Sequence, residues 1–401
     1  MMASTLNQAA TENRPAARTA SFEQLREQDQ IYIDKTALLY ELLRSGGKLL
    51  LIRPGRFGKT LLLSTLESLI RHGLRHFKGL AIERLWKGVP AHTVIRLDFS
   101  RITGFRNADE FSEAFDSYLG EVLVQERLVP ELPASGMGLR TFARCLRSLP
   151  VASTAVLIDD YDAPLTECLD RPELFEDVQR VLSRFYAILK GSDDAVRFLF
   201  ITGTTRFSQA DIFSGLNDLT DISLWPEFGT LLGYTEEEIL RHFPAQLSRA
   251  ADRLGLDAAS LIREMHKHYG GYCFDAKNST HVFAPCSVQN FLRQPELGFK
   301  NYWLESVGQT PLLKKYLGSH ELETLSRAED ENCVNLDRLA WGSGLDDDRI
   351  LLFHAGALTI KRVDEGDAFL GCPNLEVKDS MDRLFAKEPP KGDVSSEAGA
   401  A

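Results

Sequence analysis

The stretch from Lys48 to Ile70, KLLLIRPGRFGKTLLLSTLESLI, constrains the fold of this chain more than any other. A short apolar run leads into a loop that ends in Gly58-Lys59-Thr60, and an apolar pattern of helical period follows. A strand, a glycine-containing loop and a helix in this order are typical of a phosphate-binding loop, because backbone N–H groups and the helix N-terminus then face an anion. The usual pattern, G-x-x-x-x-G-K-[ST], has a glycine where this chain has Arg53. The stretch therefore predicts a P-loop with an altered first position.

The residue types of this loop each have a chemical reason. We expect Lys59 to reach the β- and γ-phosphates and the Thr60 hydroxyl to ligate Mg²⁺, while Gly58 lets the backbone approach closely because it has no Cβ. Pro54 and Gly55 can still shape the turn without the first glycine. The alternative is a loop that only caps a helix. The residues of this region that we expect to contact nucleotide are Arg53, Pro54, Gly55, Arg56, Phe57, Gly58, Lys59, Thr60 and Leu61.

A second stretch, TAVLIDDYDAPL, has an apolar run that leads directly into Asp159 and Asp160. Carboxylates at the carboxyl end of a parallel strand point into the crevice where ligands lie. Asp159 is expected to hold Mg²⁺, and Asp160 takes the place where a Glu usually orients the attacking water. Because Asp is one methylene shorter than Glu, the pattern indicates slow hydrolysis with binding retained. The alternative is an acidic turn after a strand.

The third stretch, VRFLFITGTTRFS, is an apolar strand that ends in polar residues. Polar groups at the end of a strand beside the acidic strand are placed to meet the γ-phosphate or its attacking water. Thr202 is a candidate nucleotide contact, and Arg206 is a candidate sensor of the γ-phosphate charge, within one chain or across an oligomer. The alternative is a turn with a solvated arginine.

Short apolar runs and helical patterns alternate from Leu49 to about Thr230. The predicted strands are KLLLI, HTVIRLDFS, TAVLIDD and VRFLFITGT, and helical stretches such as Lys59–His76 and Asn107–Glu126 lie between them. Strands that are apolar along their whole length suit a parallel sheet buried on both faces. The sequence therefore predicts an α/β fold with a three-layer P-loop NTPase core and a mostly parallel sheet.

The pattern changes after Leu232, where helices separated by glycine are predicted, the first of them with a capping box of Thr235 and Glu238. We expect a disordered leader over 1–20, a P-loop domain over 21–231, a helical lid over 232–330, a small C-terminal α/β segment over 331–388 and a disordered tail over 389–401. The C-terminal segment contains strand-like ALTIKRV and AFLGCPNLEV. In YIDKT, Tyr32–Thr36, two interpretations stay open, namely a lining of the base or ribose side of the pocket and a cap for the next helix.

Composition excludes several classes of protein. Apolar runs stop at about 8 residues, far below the ~18 that a membrane span needs, and the N-terminus lacks the apolar region of a signal peptide. The six cysteines form no C-x-x-C pair, which favours reduced thiols in a cytoplasmic protein. A net charge of −11 argues against a strongly basic nucleic-acid-binding surface. No guanine-reading Asn/Thr-Lys-x-Asp motif occurs, which favours ATP over GTP.

These stretches resemble the bacterial AAA-ATPase-like proteins whose P-loop reads R-P-R-R-F-G-K-S. RPGRFGKT is similar to that loop, LIDDYDAPL to the family's L-I-D-E-Y-D-x-P-L, and FITGTTRFSQADIFSGLNDLTDIS to its block after the next strand. SFEQLREQDQIYIDKTALLYELL precedes them, and LLGYTEEEI, YGGYCF, YWLESVG, GALTI and PNLEV follow in family order. The resemblance places Arg at position 53 as the family norm, whereas Gly55 and Asp160 depart from the family's Arg and Glu.

The resemblance implies an ATPase that uses Mg²⁺ and ATP, with a protein partner or further copies of itself, and with nucleic acid reached through a partner. The family often carries a PD-(D/E)XK nuclease-like domain after P-N-x-E-V, and this chain has about 25 residues there. Glu376 and Lys378 superficially fit E-x-K, but an intact nuclease is not expected. The leading hypothesis is a nucleotide-driven switch with slow ATP hydrolysis, in bacterial defence or DNA processing. The alternatives are a nucleotide-gated scaffold with negligible hydrolysis and an ATP-assisted nuclease.

Overall fold

The structure is a computed structural model, which describes residues 19–87, 93–207, 212–213, 216, 218–303, 332–342 and 347–386. The predicted disordered tail and nearly all of the predicted leader lie outside these residues. So do residues 304–331, which include the end of the predicted lid. Among the described residues, no helix combines the length and the apolar character needed to cross a bilayer.

The core is a five-stranded sheet in which every pair of neighbouring strands is parallel. Its strands are β1 (Gly47–Ile52), β2 (Thr93–Asp98), β3 (Thr154–Asp159), β4 (Val196–Gly203) and β5 (Leu219–Asp221), in the order β2-β3-β4-β1-β5. All carboxyl ends therefore lie at one edge, where the loop after β1, the acids after β3 and the turn after β4 meet. The predicted parallel α/β core is confirmed.

Helices cover both faces of this sheet. They are α1 (Phe22–Glu27), α2 (Thr36–Ser45), α3 (Lys59–His72), α4 (Ile82–Leu85), α5 (Ala108–Gln125), α6 (Gly138–Ser148), α7 (Ala163–Glu167) and α8 (Pro172–Lys190). Side chains alternate along each strand, so Leu49 and Leu51 pack on the α3 side, whereas Leu50 and Ile52 pack on the side of α5, α6 and α8. This arrangement gives the three layers that the sequence predicts.

A helical segment follows the sheet. It contains α9 (Glu236–His242), α10 (Pro244–Leu254), α11 (Ala258–Tyr269) and α12 (Pro285–Arg293). The capping box at its start is present, because the Thr235 side chain accepts from Glu238 N and the Glu238 side chain accepts from Thr235 N. These helices enclose a core of their own around Ile239, Leu261 and Phe291.

The C-terminal segment joins a small antiparallel sheet to three helices. Its elements are β6 (Cys333–Asn335), α13 (Leu336–Trp341), α14 (Asp348–Ala355), β7 (Thr359–Asp364), β8 (Asp367–Gly371) and α15 (Leu375–Ala386), with strand order β6-β8-β7. The predicted strand AFLGCPNLEV is right only as far as Gly371. Leu375 begins a helix instead, in which Asn374 caps the first turn by accepting from Val377 N. β5 was not predicted from the sequence; within the described residues it pairs only with β1.

Candidate nucleotide-binding site

The loop between β1 and α3 has the shape of an anion cradle. Gly58 has a φ of +100°, in the left-handed region that favours glycine, and α3 begins at the next residue. Arg56 also has a positive φ, +64°, and is exposed. Successive backbone N–H groups in such a turn, followed by a helix N-terminus, point toward a common centre.

Lys59 lies at the centre of the site and is only 6% exposed. Its Nζ donates to Arg53 O at 3.0 Å, to Pro54 O at 3.3 Å and to Thr204 Oγ1 at 2.9 Å. The Asp160 Oδ1 atom lies 3.9 Å from the same nitrogen. The ammonium thus bridges the P-loop, the acids after β3 and the turn after β4, the three stretches that the sequence singles out.

Arg53 occupies a different place from the one expected of a phosphate contact. Its side chain is 1% exposed and donates to the carbonyls of Ile52, Ser223 and Phe228, while its guanidinium lies 4.6 Å from the Phe274 ring centre. Burial lowers the pKa of this guanidinium to about 9. Through these hydrogen bonds Arg53 holds the start of the loop against the protein interior, on the side away from the cradle.

Asp159 and Thr202 form a buried pair behind the cavity. The Thr202 hydroxyl donates to Asp159 Oδ1 at 2.8 Å, and Asp159 Oδ2 lies 4.0 Å from Arg96 Nη2. Neither residue is among those that line the cavity. Thr202 is thus placed to orient a carboxylate, whereas the sequence reading made it a direct nucleotide contact.

Asp160 faces the cavity with a side chain that is 34% exposed, and its backbone has a φ of +45°. Burial raises the pKa of its carboxyl to about 7, while Lys59 lowers it and the carboxylates of Asp159, Asp162 and Asp98 raise it. These four acids come from the ends of β2 and β3, where Asp98 and Asp159 are partners in the sheet. These four carboxyl groups therefore form a cluster of negative charge next to Lys59.

Arg206 does not face the cavity, unlike the γ-phosphate sensor that the sequence predicted. Its side chain is 1% exposed and donates to Asp221 Oδ2 from Nε at 3.0 Å and from Nη2 at 2.6 Å. Its Nη1 donates to Leu339 O at 2.6 Å, and its backbone N–H faces His354 Nδ1 at 3.4 Å. A guanidinium held this way points into the body of the protein, so it cannot reach a γ-phosphate in this conformation.

A cavity of about 630 Å³ opens on the loop. That volume lies within the ~300–1,000 Å³ range of small-molecule sites. Three walls enclose it, namely the P-loop with α3, the segments around Ile33 and Gly233, and one face of α12. Its lining includes Tyr32, Ile33, Lys35, Gly55, Arg56, Phe57, Gly58, Lys59, Thr60, Leu61, Leu62, Asp160, Thr204, Leu231, Leu232, Gly233, Tyr234, Cys286, Gln289, Asn290 and Arg293.

The YIDKT segment lies both at the cavity and at the start of α2. Tyr32, Ile33 and Lys35 line the cavity. Lys35 is the N-cap residue of α2, and Asp34, just before it, accepts from Thr36 N at 2.9 Å through Oδ1. Its Oδ2 accepts from Ala81 N at 2.7 Å. The segment therefore holds one wall in place while presenting another part of itself to the cavity.

The sequence reading missed the wall supplied by α12. Cys286, Gln289, Asn290 and Arg293 recur with helical spacing, and Gln289 Nε2 donates to Tyr234 OH at 2.5 Å. These residues lie more than two hundred positions after the P-loop, so no local pattern joins the two. The helical periodicity of PCSVQNFLR was the available signal, and it does not say which face turns toward the loop.

The parallel sheet, the loop from β1 into α3 and the acids at the end of β3 define a P-loop NTPase core. The family model named AAA-ATPase_like, described as a predicted AAA-ATPase, matches residues 17–213. An uncharacterized protein in the vnfD 5′ region of Azotobacter chroococcum mcd 1 is 31% identical over 379 residues, which cover 91% of this chain and 68% of that protein. The chain belongs to the AAA-ATPase-like family.

A solved structure, the Walker-type ATPase PABY2304 of Pyrococcus abyssi, is similar along most of both chains. It covers 93% of this chain and 99% of its own, with 14% identity and a TM-score of 0.45.

Proposed function

We propose that this chain binds Mg²⁺-ATP in the cavity at the P-loop and acts as a nucleotide-driven conformational switch with slow hydrolysis. The observation that carries the proposal is the position of Lys59. Its buried ammonium is held by two carbonyls of its own loop and by Thr204, at the mouth of a cavity lined by Gly55–Leu61. Phosphate oxygens are stronger partners for an ammonium than neutral carbonyls and hydroxyls. A triphosphate would therefore replace these contacts.

The residues present fit a magnesium ion. Mg²⁺ is usually held by one or two carboxylates together with phosphate oxygens and water. Thr60, which lines the cavity, would hold it directly, and Asp159, which lies behind the cavity, would hold it through water. The bound ion would neutralise charge on the phosphates. Burial is the main cause of the raised pKa of Asp160, and the carboxylates of Asp159, Asp162 and Asp98 add to it, so a cation bound beside these acids would favour the ionised form.

Asp160 is the proposed base that orients the attacking water. In its ionised form the carboxylate can accept a hydrogen bond from water on the cavity side, where it is exposed. In the nucleotide-free chain, where its pKa is about 7, a large share of this carboxyl is protonated at neutral pH and has to lose its proton before it can act. We therefore expect turnover to be slow at pH 7 and to rise with pH.

The proposed output of the switch is the C-terminal segment. Arg206, two residues after Thr204, is bonded to Leu339 O at the end of α13 and lies against His354 of α14. A shift of Thr204 when phosphate takes its place on Lys59 would reach these helices through a buried path. The helical segment after residue 232, with α12 in the cavity wall, would act as the lid. The partner is a protein or a further copy of this chain, with nucleic acid reached through it, in bacterial defence or DNA processing as the family implies.

A scaffold with negligible hydrolysis is the second candidate. The short side chain of Asp160 and its partial protonation both favour it. An ATP-assisted nuclease has no such support, because Glu376 lies in the first turn of α15, where it is 2% exposed and bonded to Ser287, Tyr302 and Trp303.

The test is nucleotide binding and turnover of wild type, Lys59→Ala, Asp160→Glu and Asp160→Asn between about pH 6 and pH 9. We expect wild type to bind ATP and Lys59→Ala to lose roughly a hundredfold in affinity, since charge-assisted bonds to phosphate are lost. Wild-type turnover should rise through pH 7, and Asp160→Asn should abolish that rise. Turnover that appears only in Asp160→Glu would favour the scaffold. A wild type that binds no nucleotide would contradict the proposal.

A further inference from the structure

Asp162 is a buried carboxylate for which the proposed reaction has no direct use. It is 4% exposed, and its two oxygens face the turn after β4. Thr204 N lies 3.1 Å from both oxygens, and Thr205 N donates to Oδ2 at 2.7 Å. A carboxylate that receives backbone N–H groups fixes their orientation strongly, because charge-assisted bonds are shorter and stronger than neutral ones.

Tyr161 holds the same turn from the other side. Its hydroxyl donates to Thr205 O at 2.9 Å and accepts from Phe207 N at 3.3 Å. Its backbone N–H donates to Thr202 O at 3.0 Å. We call Tyr161 and Asp162 together the β4 clamp.

The clamp leaves no room for a side chain at Gly203. A Cβ there would lie 2.5 Å from the Tyr161 ring and 2.8 Å from Asp162 Oδ1. The glycine in T-G-T-T is therefore explained by the close approach of the clamp, and not by an unusual backbone angle.

The clamp fixes the position of one hydroxyl in particular. Thr204 Oγ1 lies 2.9 Å from Lys59 Nζ, and Thr204 lines the nucleotide cavity. Burial raises the pKa of Asp162, whereas Lys59 and the N–H groups of Thr205 and Thr204 lower it. Asp162 is thus coupled both to the lysine and to the threonine that touches it, although it does not itself line the cavity.

We propose that Asp162 is a positioning residue, which holds the Thr204 hydroxyl where a third phosphate would meet Lys59 and so lets the site distinguish ATP from ADP. This inference rests on the proposed nucleotide binding. The hydrogen bonds of Thr204 N and Thr205 N to Asp162 fix the position of the Thr204 hydroxyl. If the hydroxyl were displaced, it would no longer contact the terminal phosphate. The α- and β-phosphates would still be held by the backbone of the P-loop, which the clamp does not touch.

The test compares the affinities of the non-hydrolysable ATP analogue AMP-PNP and of ADP, with Mg²⁺ present, by isothermal titration calorimetry. Wild type should prefer AMP-PNP by roughly tenfold, as expected for a charge-assisted contact. Asp162→Asn should reduce that preference to below about threefold, while ADP affinity changes little. Asp116→Asn is the matched control, because Asp116 also accepts two backbone N–H groups, of Gly138 and Leu139, on a different part of the chain.

A double-mutant cycle shows whether Asp162 acts through Thr204. Thr204→Val should reproduce the loss of preference, Thr204→Ser should retain it, and Asp162→Asn combined with Thr204→Val should be no worse than either alone. Thr154→Val, at a buried threonine at the start of β3, is the control for the loss of a hydroxyl.

Several outcomes would overturn the inference. They are a wild type without preference, an equal loss of AMP-PNP and ADP affinity in Asp162→Asn, and effects that multiply in the double variant. If Asp162→Asn does not fold, Tyr161→Phe is the second variant, since it keeps the ring and removes only the two bonds of the hydroxyl, to Thr205 O and from Phe207 N. It should then lower the preference by roughly threefold, and an unchanged preference would overturn the inference. A wild type that binds neither nucleotide would contradict the proposed function, and that result is distinguishable from all of these.

Discussion

Glu376 gives the folded chain a pH dependence of known sign. Its Oε1 accepts from Ser287 Oγ at 3.1 Å, from Tyr302 N at 2.6 Å and from Trp303 N at 2.8 Å. Its Oε2 is buried, and among the described residues none donates to it. Burial raises the pKa of this carboxyl from 4.5 to about 7, although the three hydrogen bonds lower it. The protonated form is therefore favoured in the fold.

The sign of the effect follows from linkage. Because the pKa in the folded chain is above that in the unfolded chain, the stability from this group is fully present below pH 4.5 and is lost as the pH rises through about 7. Each unit of pKa difference corresponds to about 1.4 kcal/mol. Between about pH 5.5 and about pH 8.5, Glu376 alone should lower the free energy of unfolding by about 2 kcal/mol.

The assay is urea unfolding of wild type and Glu376→Gln at both pH values, followed by tryptophan fluorescence, since Trp303 contacts the carboxyl directly. The Gln side chain leaves a buried amide without an acceptor, which costs about 1–3 kcal/mol at any pH. The difference between wild type and variant should therefore shrink by about 2 kcal/mol from the lower pH to the higher. Glu296 is exposed, and Glu296→Gln is the matched control, for which the difference should be the same at both pH values. A constant difference for Glu376→Gln would refute the reasoning.

Two further predictions concern buried arginines and their exposed counterparts. Arg53→Met should lower the free energy of unfolding by about 3 kcal/mol in thermal or urea unfolding, because three carbonyls lose a buried donor, whereas Arg56→Met should change it by less than about 0.5 kcal/mol. Equal effects would contradict the assigned role of Arg53. In hydrogen exchange, Mg²⁺-ATP should protect α13 and α14 in wild type and in Arg338→Lys, but not in Arg206→Lys, because lysine cannot keep both the ion pair and the bond to Leu339 O. Protection that survives in Arg206→Lys would show that the signal takes another path.

The sequence predicts the parts of this fold whose patterns are local. Four strands that are apolar along their length and the helices between them are each marked by period and by their ends. β5 has only three residues, with Leu219 and Thr220 half-buried, so it has no apolar run that could mark it as a strand. In α15 the buried position 376 is occupied by Glu instead of an apolar residue. The helical period of this segment is therefore harder to recognise in the sequence.

The candidate site divides in the same way. Lys59 is the first residue of α3, and Asp160 directly follows β3. A local pattern can locate both the start of a helix and the end of a strand, so the sequence places both residues at the cavity. The burial of Arg206 depends on Asp221 and on Leu339, more than a hundred residues further along the chain. A local pattern at the end of a strand cannot distinguish an arginine that binds a phosphate from an arginine that forms an ion pair or hydrogen bond with a later segment of the chain.

The missing first glycine of the P-loop has a structural explanation in Arg53. A glycine at that position is needed only if a side chain would intrude on the phosphate or strain the turn. Here the side chain leaves the loop on the opposite side and bonds to the carbonyls of Ser223 and Phe228, while its own carbonyl accepts from Lys59. With Arg53 in place of glycine, the loop therefore loses conformational freedom at this position and gains hydrogen bonds to the segment after β5. Since this segment directly follows Asp221, the last residue of β5 and the partner of Arg206, the base of the loop and the proposed output path are joined through neighbouring residues.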